Sequence, residues 1–160
     1  MDRKTNYLLA AIRISLGWIF LWAFLDKLFG LGRSTAPENA WLAGGSPTSG
    51  FLSFAARGPL VGLFQGMAGN PVVDVLFMVG LLGLGLALLL GIGLKVAGVA
   101  GPLLMVLMWS SQLPPATNPF LDSHIIYALV LALLPLLKAG HTLGQGRWWA
   151  EKTCNWPILQ

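Results

Sequence analysis

Five ionisable side chains stand where apolar runs of this chain end or begin. Asp26 and Lys27 close the first run, Asp74 lies just inside the second, and Asp122 and His124 precede the last. Charged groups at membrane depth are costly and normally face the protein interior. A set of this kind can do acid–base and anion chemistry. Lys27, Arg57 and His124 offer positive charge and donors to a small anion or a polar head group, and Asn118 adds an amide at the same level. Asp74, Asp122 and His124 can pass protons and are the candidate catalytic groups. The competing reading is a salt bridge from Lys27 to Asp74 or Asp122 that holds helix ends together. On a helix Asp122 and His124, two residues apart, cannot point the same way, whereas His124 and Tyr127 share a face. Trp109 and Gln112 end another apolar run at this level.

The elements that must position these groups are long and apolar. Of 160 residues, 56% are hydrophobic and 10% charged, with mean hydropathy +0.72. A soluble domain has roughly 25% charged residues. The fold class is therefore an all-α integral membrane protein, with residues 1–160 forming one domain. Four spans are expected, at about 7–29, 71–93, 96–113 and 118–137, each long enough for the about 20 residues a bilayer crossing needs. The second and fourth begin alike, with Asn70-Pro71-Val72-Val73-Asp74 and Asn118-Pro119-Phe120-Leu121-Asp122. Asn suits a helix N-cap, Pro the first helical position, and Asp the positive end of the helix dipole. The shared plan suggests an internal repeat. The first run is too long for a usual signal peptide and reads as a retained helix.

The basic residues orient the bundle. Arg3, Lys4, Lys95, Lys138, Arg147 and Lys152 fall on one side, so the chain is expected to be a multi-pass cell-membrane protein with both termini cytoplasmic. The connection from Gly30 to Gly69 is then external. Its Ser34–Gly50 part is loop-like, while Phe51–Met67 is apolar and reads as an interfacial helical segment, broken near Gly58-Pro59, that packs on the bundle or covers a pocket. Arg13, Gly17, Phe20, Phe24 and Lys27 make one face of the first helix, and Trp18, Trp22 and Asp26 another. Arg13, deep in the first span, either binds a ligand or meets the inner surface or a backbone carbonyl.

Several chemistries are excluded by what is missing. His124 and His141 fall on opposite sides and cannot ligate one haem, and no Cys/His cluster suits zinc or iron–sulfur. Neither a metal nor haem is expected. Cys154 is a lone thiol. The scattered basic residues make no nucleic-acid stripe. A redox role would need a bound organic carrier such as quinone, or a partner subunit.

Four segments carry a family resemblance. Arg13-Ile-Ser-Leu-Gly17-Trp-Ile-Phe with Asp26-Lys27-Leu28, Trp41 to Gly50, Gly69 to Asp74, and Asn118 to His124 resemble the DoxX/DoxD membrane family, and Gly144-Gln-Gly-Arg-Trp-Trp149 extends the likeness. The resemblance is nearest to DoxD, the large membrane subunit of thiosulfate:quinone oxidoreductase. It implies a four-helix membrane bundle and a quinone-linked oxidoreductase subunit. Thiosulfate or a similar sulfur anion would be oxidised at the outer face, bound by Lys27, Arg57, His124 and Asn118, with electrons passing to membrane quinone. The quinone would lie near Arg13, Trp18, Trp22, Trp109 and Tyr127. Expected partners are the lipid bilayer, a separate DoxA-like or other redox subunit, and further copies of the chain in a homo-oligomer. The alternative is a non-catalytic membrane subunit that scaffolds a redox partner or binds lipid.

Overall fold

A computed structural model describes residues 1–116 and 118–159, and these residues are helical or loop, without strand. The long helices are α1 (Arg3–Phe29), α3 (Pro71–Leu90) and α4 (Leu94–Ser111), with α2 (Val61–Gly66), α5 (Ser123–Leu136) and α6 (Gly146–Lys152) shorter. By length and composition α1, α3 and α4 can each cross a membrane. This is the architecture of a helical membrane protein.

Local chemistry sets the helix ends. Asp2 caps α1 by accepting the Thr5 amide at 3.0 Å, and Gly30 ends it in the left-handed region. Asn70 caps α3 as its sequence suggests, accepting the Val72 amide at 2.9 Å with Pro71 at the first turn. The second copy of the motif behaves differently. Asn118 only closes a turn onto the amides of Phe120 and Leu121, and Asp122 is the N-cap of α5. The fourth helix therefore starts at Ser123, not Asn118, and has 14 residues. At about 1.5 Å per residue it rises about 21 Å, short of a full hydrocarbon core.

α1 packs along α3 and α4 along α5, while α3 and α4, joined by the turn at Gly91–Gly93, meet over less of their length. Leu16, Phe20, Met78, Leu88, Leu131 and Leu134 form the core between them. The outward apolar side chains, such as Val79, Leu103 and Leu129, are exposed, as expected of a surface that meets lipid.

The α1–α3 contact depends on glycine. A Cβ on Gly85 would lie 2.8 Å from the Leu21 backbone nitrogen, whereas one on Gly83 would meet nothing within 4 Å. Gly85→Ala should therefore force the helices apart and cost about 1–3 kcal/mol. Gly83→Ala should be neutral or stabilise by up to about 1 kcal/mol, since alanine is the better helix former. Thermal melting in detergent reads both. Equal melting of the two variants would show that the close approach is not made.

Residues 30–69 form a cap over one end of the bundle, here the loop end. The apolar part is a single π-helical turn at Phe51–Ala55, then α2, interrupted at Gly58. Gly58 has φ 77° and presses on Leu113, where a Cβ would lie 1.7 Å from the carbonyl oxygen. The neighbouring Arg57 amide donates to the Ser111 carbonyl at 2.9 Å. The cap thus reaches from α1 across to the end of α4 before returning to α3.

Candidate functional site

Two carboxylates hold the cap down, and neither is paired with a cation. Asp26 is fully buried and accepts the Arg33 amide at 3.1 Å, the Ser34 amide at 2.9 Å and the Ser34 hydroxyl at 2.6 Å. Asp74, on the first turn of α3, accepts the Ser46 hydroxyl at 2.9 Å, and the Thr48 amide and hydroxyl at 3.2 and 2.5 Å. These hydroxyl and amide donors satisfy the carboxylates as a counter-ion would. Asp74 therefore serves as a staple between loop and helix through one oxygen, Oδ1, which takes all three bonds. The sequence reading missed Ser46 and Thr48. The run Ser46-Pro47-Thr48-Ser49 was the signal, but the fold is needed to bring it to Asp74.

Among the described residues Lys27 has no carboxylate within ion-pair distance, so the bridge to Asp74 or Asp122 considered from sequence is not formed. Its ammonium stands 5.9 Å from the centre of the Phe77 ring. It projects into a cavity of about 570 Å³ between α3 and α4, roofed by Thr48, Phe51, Leu52, Phe64 and Met67 of the cap. The side walls are Phe77, Leu84, Leu104 and Met108, and the rim includes the exposed Leu76, Leu103 and Leu107. The rim residues belong to the lipid-facing surface, so the cavity opens sideways between the two helices. Gly80 and Ala100 lie at its level and leave the helices without bulky side chains there.

The polar groups in this cavity are few. Thr48 gives its hydroxyl proton to Asp74, and Ser111 gives its own to the Met108 carbonyl at 2.7 Å. Among the described lining residues, Lys27 is then the donor with protons to offer. Concave, mostly apolar sites with one or two placed polar groups are the usual form of small-molecule pockets, at about 300–1,000 Å³.

The other predicted residues lie elsewhere. Asp122 and His124 do meet, because Asp122 is an extended N-cap residue and not part of the helix: its carboxylate takes the His124 amide at 2.9 Å and contacts Nδ1 at 2.7 Å. The helical spacing argument that separated them fails for this reason. The contact is an ion pair when the imidazole is protonated. Arg57, Asn118 and His124 do not line the Lys27 cavity, so the four-residue anion set is not assembled there. Arg57 and Asn118 are exposed, and Asn118 spends its carbonyl on its own turn.

The residues expected around a quinone are also dispersed. Trp18 is exposed and sits 5.8 Å from Trp22, ring centre to ring centre, on the lipid-facing side of α1. Trp109 donates its indole N–H to the Phe120 carbonyl at 2.9 Å and pins the approach to α5. Tyr127 packs against the core. None of them lines the cavity. Arg13 is fully buried at the opposite end and is held by backbone carbonyls, donating to Leu88 and to Leu89 at 3.0 Å, and to Thr142 and Leu143 at 3.3 and 2.7 Å. It matches the carbonyl-binding alternative.

Comparison with protein-family profiles, with characterised proteins and with solved structures finds no match to this chain.

Proposed function

We propose that the chain is the membrane subunit of a quinone-linked oxidoreductase, with the Lys27 cavity as its quinone site. The supporting observation is the pairing of apolar walls with one unpaired ammonium, reached from the lipid-facing side. A quinone fits that set: its carbonyl oxygens accept hydrogen bonds, its ring suits the Phe77 wall, and its isoprenoid tail suits a lateral opening. When bound, quinone would supply a two-electron, two-proton acceptor within the membrane. Lys27 would orient a carbonyl, and the cap held by Asp26 and Asp74 would exclude water. The four-span reading, with cytoplasmic termini and an external cap, belongs to this proposal and rests on the basic-residue bias.

The electron source proposed with it is thiosulfate or a similar sulfur anion, oxidised at the outer face together with a DoxA-like or other redox subunit. Support for that half is the sequence resemblance alone. A doubly charged anion would be poorly served by apolar walls and a single cation, so its binding is assigned to a surface shared with the partner. The alternative reading keeps the same cavity: an acyl chain with its carboxylate on Lys27 would make the protein a lipid-binding scaffold.

The test is binding of a short-chain quinone to the purified protein in nanodiscs, followed by tryptophan fluorescence, with a fatty acid as competitor. Gly80→Leu should abolish saturable quinone binding without unfolding the protein. A Cβ at Gly80 approaches nothing nearer than the Leu104 Cδ2 at 3.9 Å, so the larger side chain has room only by filling the cavity. Undiminished quinone affinity in a folded Gly80→Leu variant would remove the cavity from the proposal. Binding of the fatty acid but not of the quinone would favour the scaffold.

A further inference from the structure

The end of the bundle away from the cap has a second pocket, of about 340 Å³. Asn6 of α1, Leu137 at the end of α5, Lys138, His141 and Thr142 of the following turn, and Arg147 of α6 line it. Among the described lining residues the ionisable side chains are basic, and none is a carboxylate. The nearest acidic residues in sequence are otherwise placed. Asp2 accepts the Thr5 amide, and the exposed Glu151 makes no ion pair with Arg147.

A further positive charge lies directly behind the pocket. The Arg13 guanidinium donates to the Thr142 and Leu143 carbonyls, on the same turn that forms the pocket wall. It is fully buried and balanced by carbonyl dipoles, not by a carboxylate. Its field therefore adds to that of Lys138 and Arg147. A concave, low-dielectric surface lined by one sign of charge concentrates the opposite ion. The crowding is felt at His141, whose imidazole is held below its usual pKa by partial burial and by the neighbouring Lys138 and Arg147. Lys138 and Leu143 both adopt φ 49°, a left-handed backbone that non-glycine residues rarely take, so the surrounding packing fixes the shape of this turn.

The donor set selects among anions. An arginine fork suits the paired oxygens of phosphate, and lysine serves as a point charge beside it. The Thr142 hydroxyl and the Asn6 amide add neutral hydrogen-bonding groups. Basic pockets between membrane helices are also where phospholipid head groups are held, and Trp148 and Trp149 of α6 follow Arg147 as interfacial side chains do.

We propose that this pocket binds a phosphate group, presented by an anionic phospholipid or free in solution. The bias of basic residues toward one membrane side would explain scattered cations, but not a pocket that gathers them around a turn backed by a buried arginine.

The experiment compares melting of the full chain in three nanodisc preparations: phosphatidylcholine alone, phosphatidylcholine with phosphatidylglycerol, and phosphatidylcholine with sodium phosphate at ionic strength matched by sodium chloride. A rise in melting temperature is expected in at least one anionic arm, and the arm names the source. A Lys138→Asn, Arg147→Gln pair should lose most of that rise while melting like the parent in phosphatidylcholine. Asparagine is chosen at 138 because it tolerates the left-handed backbone. A control pair, Lys4→Gln with Lys152→Gln, removes two basic residues outside the pocket and should keep the rise. A readout on the unaltered chain needs no variant: a seated anion should raise the pKa of His141 in an NMR titration. No rise in either arm, equal loss in the control pair, retention of the full rise in the pocket pair, or an unmoved His141 titration would each overturn the proposal.

Discussion

Arg13→Met is expected to lower stability by about 3–5 kcal/mol, because four backbone carbonyls lose their donor, a loss partly offset by no longer burying a charge. The reason lies at the end of α3. An α-helix leaves its last four carbonyls without helical partners. Here the Ala87 carbonyl is taken by the amides of Gly91 and Ile92, and that of Leu90 by the Gln145 amide at 2.8 Å. Arg13 takes the remaining two, Leu88 and Leu89, and also binds Thr142 and Leu143. One side chain thus closes the end of α3 and attaches the turn after α5 to it. Methionine fills much of the same volume but offers no donor. Each buried carbonyl left dry costs about 1–3 kcal/mol. Removing a buried charge returns some desolvation energy, but four abandoned acceptors outweigh it. Arg13→Lys should recover only part of the loss, because three ammonium protons cannot reproduce the planar fan of a guanidinium. Melting in detergent, monitored by circular dichroism, reads both variants. A methionine variant that melts with the parent would mean that water, or another group, serves those carbonyls.

The sequence made some of this legible and not the rest, for physical reasons. The Asn70 cap and the amphipathic face from Arg13 to Lys27 follow from local rules, and both were readable. The same rules failed at Asn118, because Asn118-Pro119 and Asp122-Ser123 each make an acceptable helix start. The later one is used, and from there α5 packs along α4. Clustering of charges at one level was readable too, but not their partners. Asp26 and Asp74 found hydroxyls and amides contributed by the cap, from residues 33–34 and 46–48, whose path no local rule fixes. The cavity was least legible of all. It exists because small residues, Gly80 and Ala100, fail to fill the space between α3 and α4 under the roof of the cap. A small residue inside a helix is compatible either with a void, as at Gly80, or with close approach of a neighbouring helix. Gly85 and Gly17 are of the second kind, with Cβ positions that would approach neighbouring backbone to 2.8 Å.

Lys27→Met is expected to leave the protein folded and to weaken quinone binding by about 10- to 100-fold. A hydrogen bond to a charged group contributes about 1.5–3 kcal/mol, and each 1.4 kcal/mol is about a factor of ten. Stability should barely change, because Lys27 breaks no ion pair when it leaves. The lost contact with the Phe77 ring, worth about 0.5–1 kcal/mol at an open site, is offset by no longer holding a cation among apolar walls. Asp74→Asn gives the contrasting result. An amide in place of the carboxylate would turn an NH₂ group or a weaker acceptor toward three donors, so the cap should loosen and the melting temperature fall. If Lys27 and Asp74 were a salt bridge, the double variant would be more stable than the Asp74→Asn single variant, since both charges would be gone. With no bond between them, the double variant should melt like Asp74→Asn and bind quinone as poorly as Lys27→Met. Rescue of stability in the double variant would restore the salt bridge. Full quinone affinity in Lys27→Met would leave the ammonium without a role in the cavity.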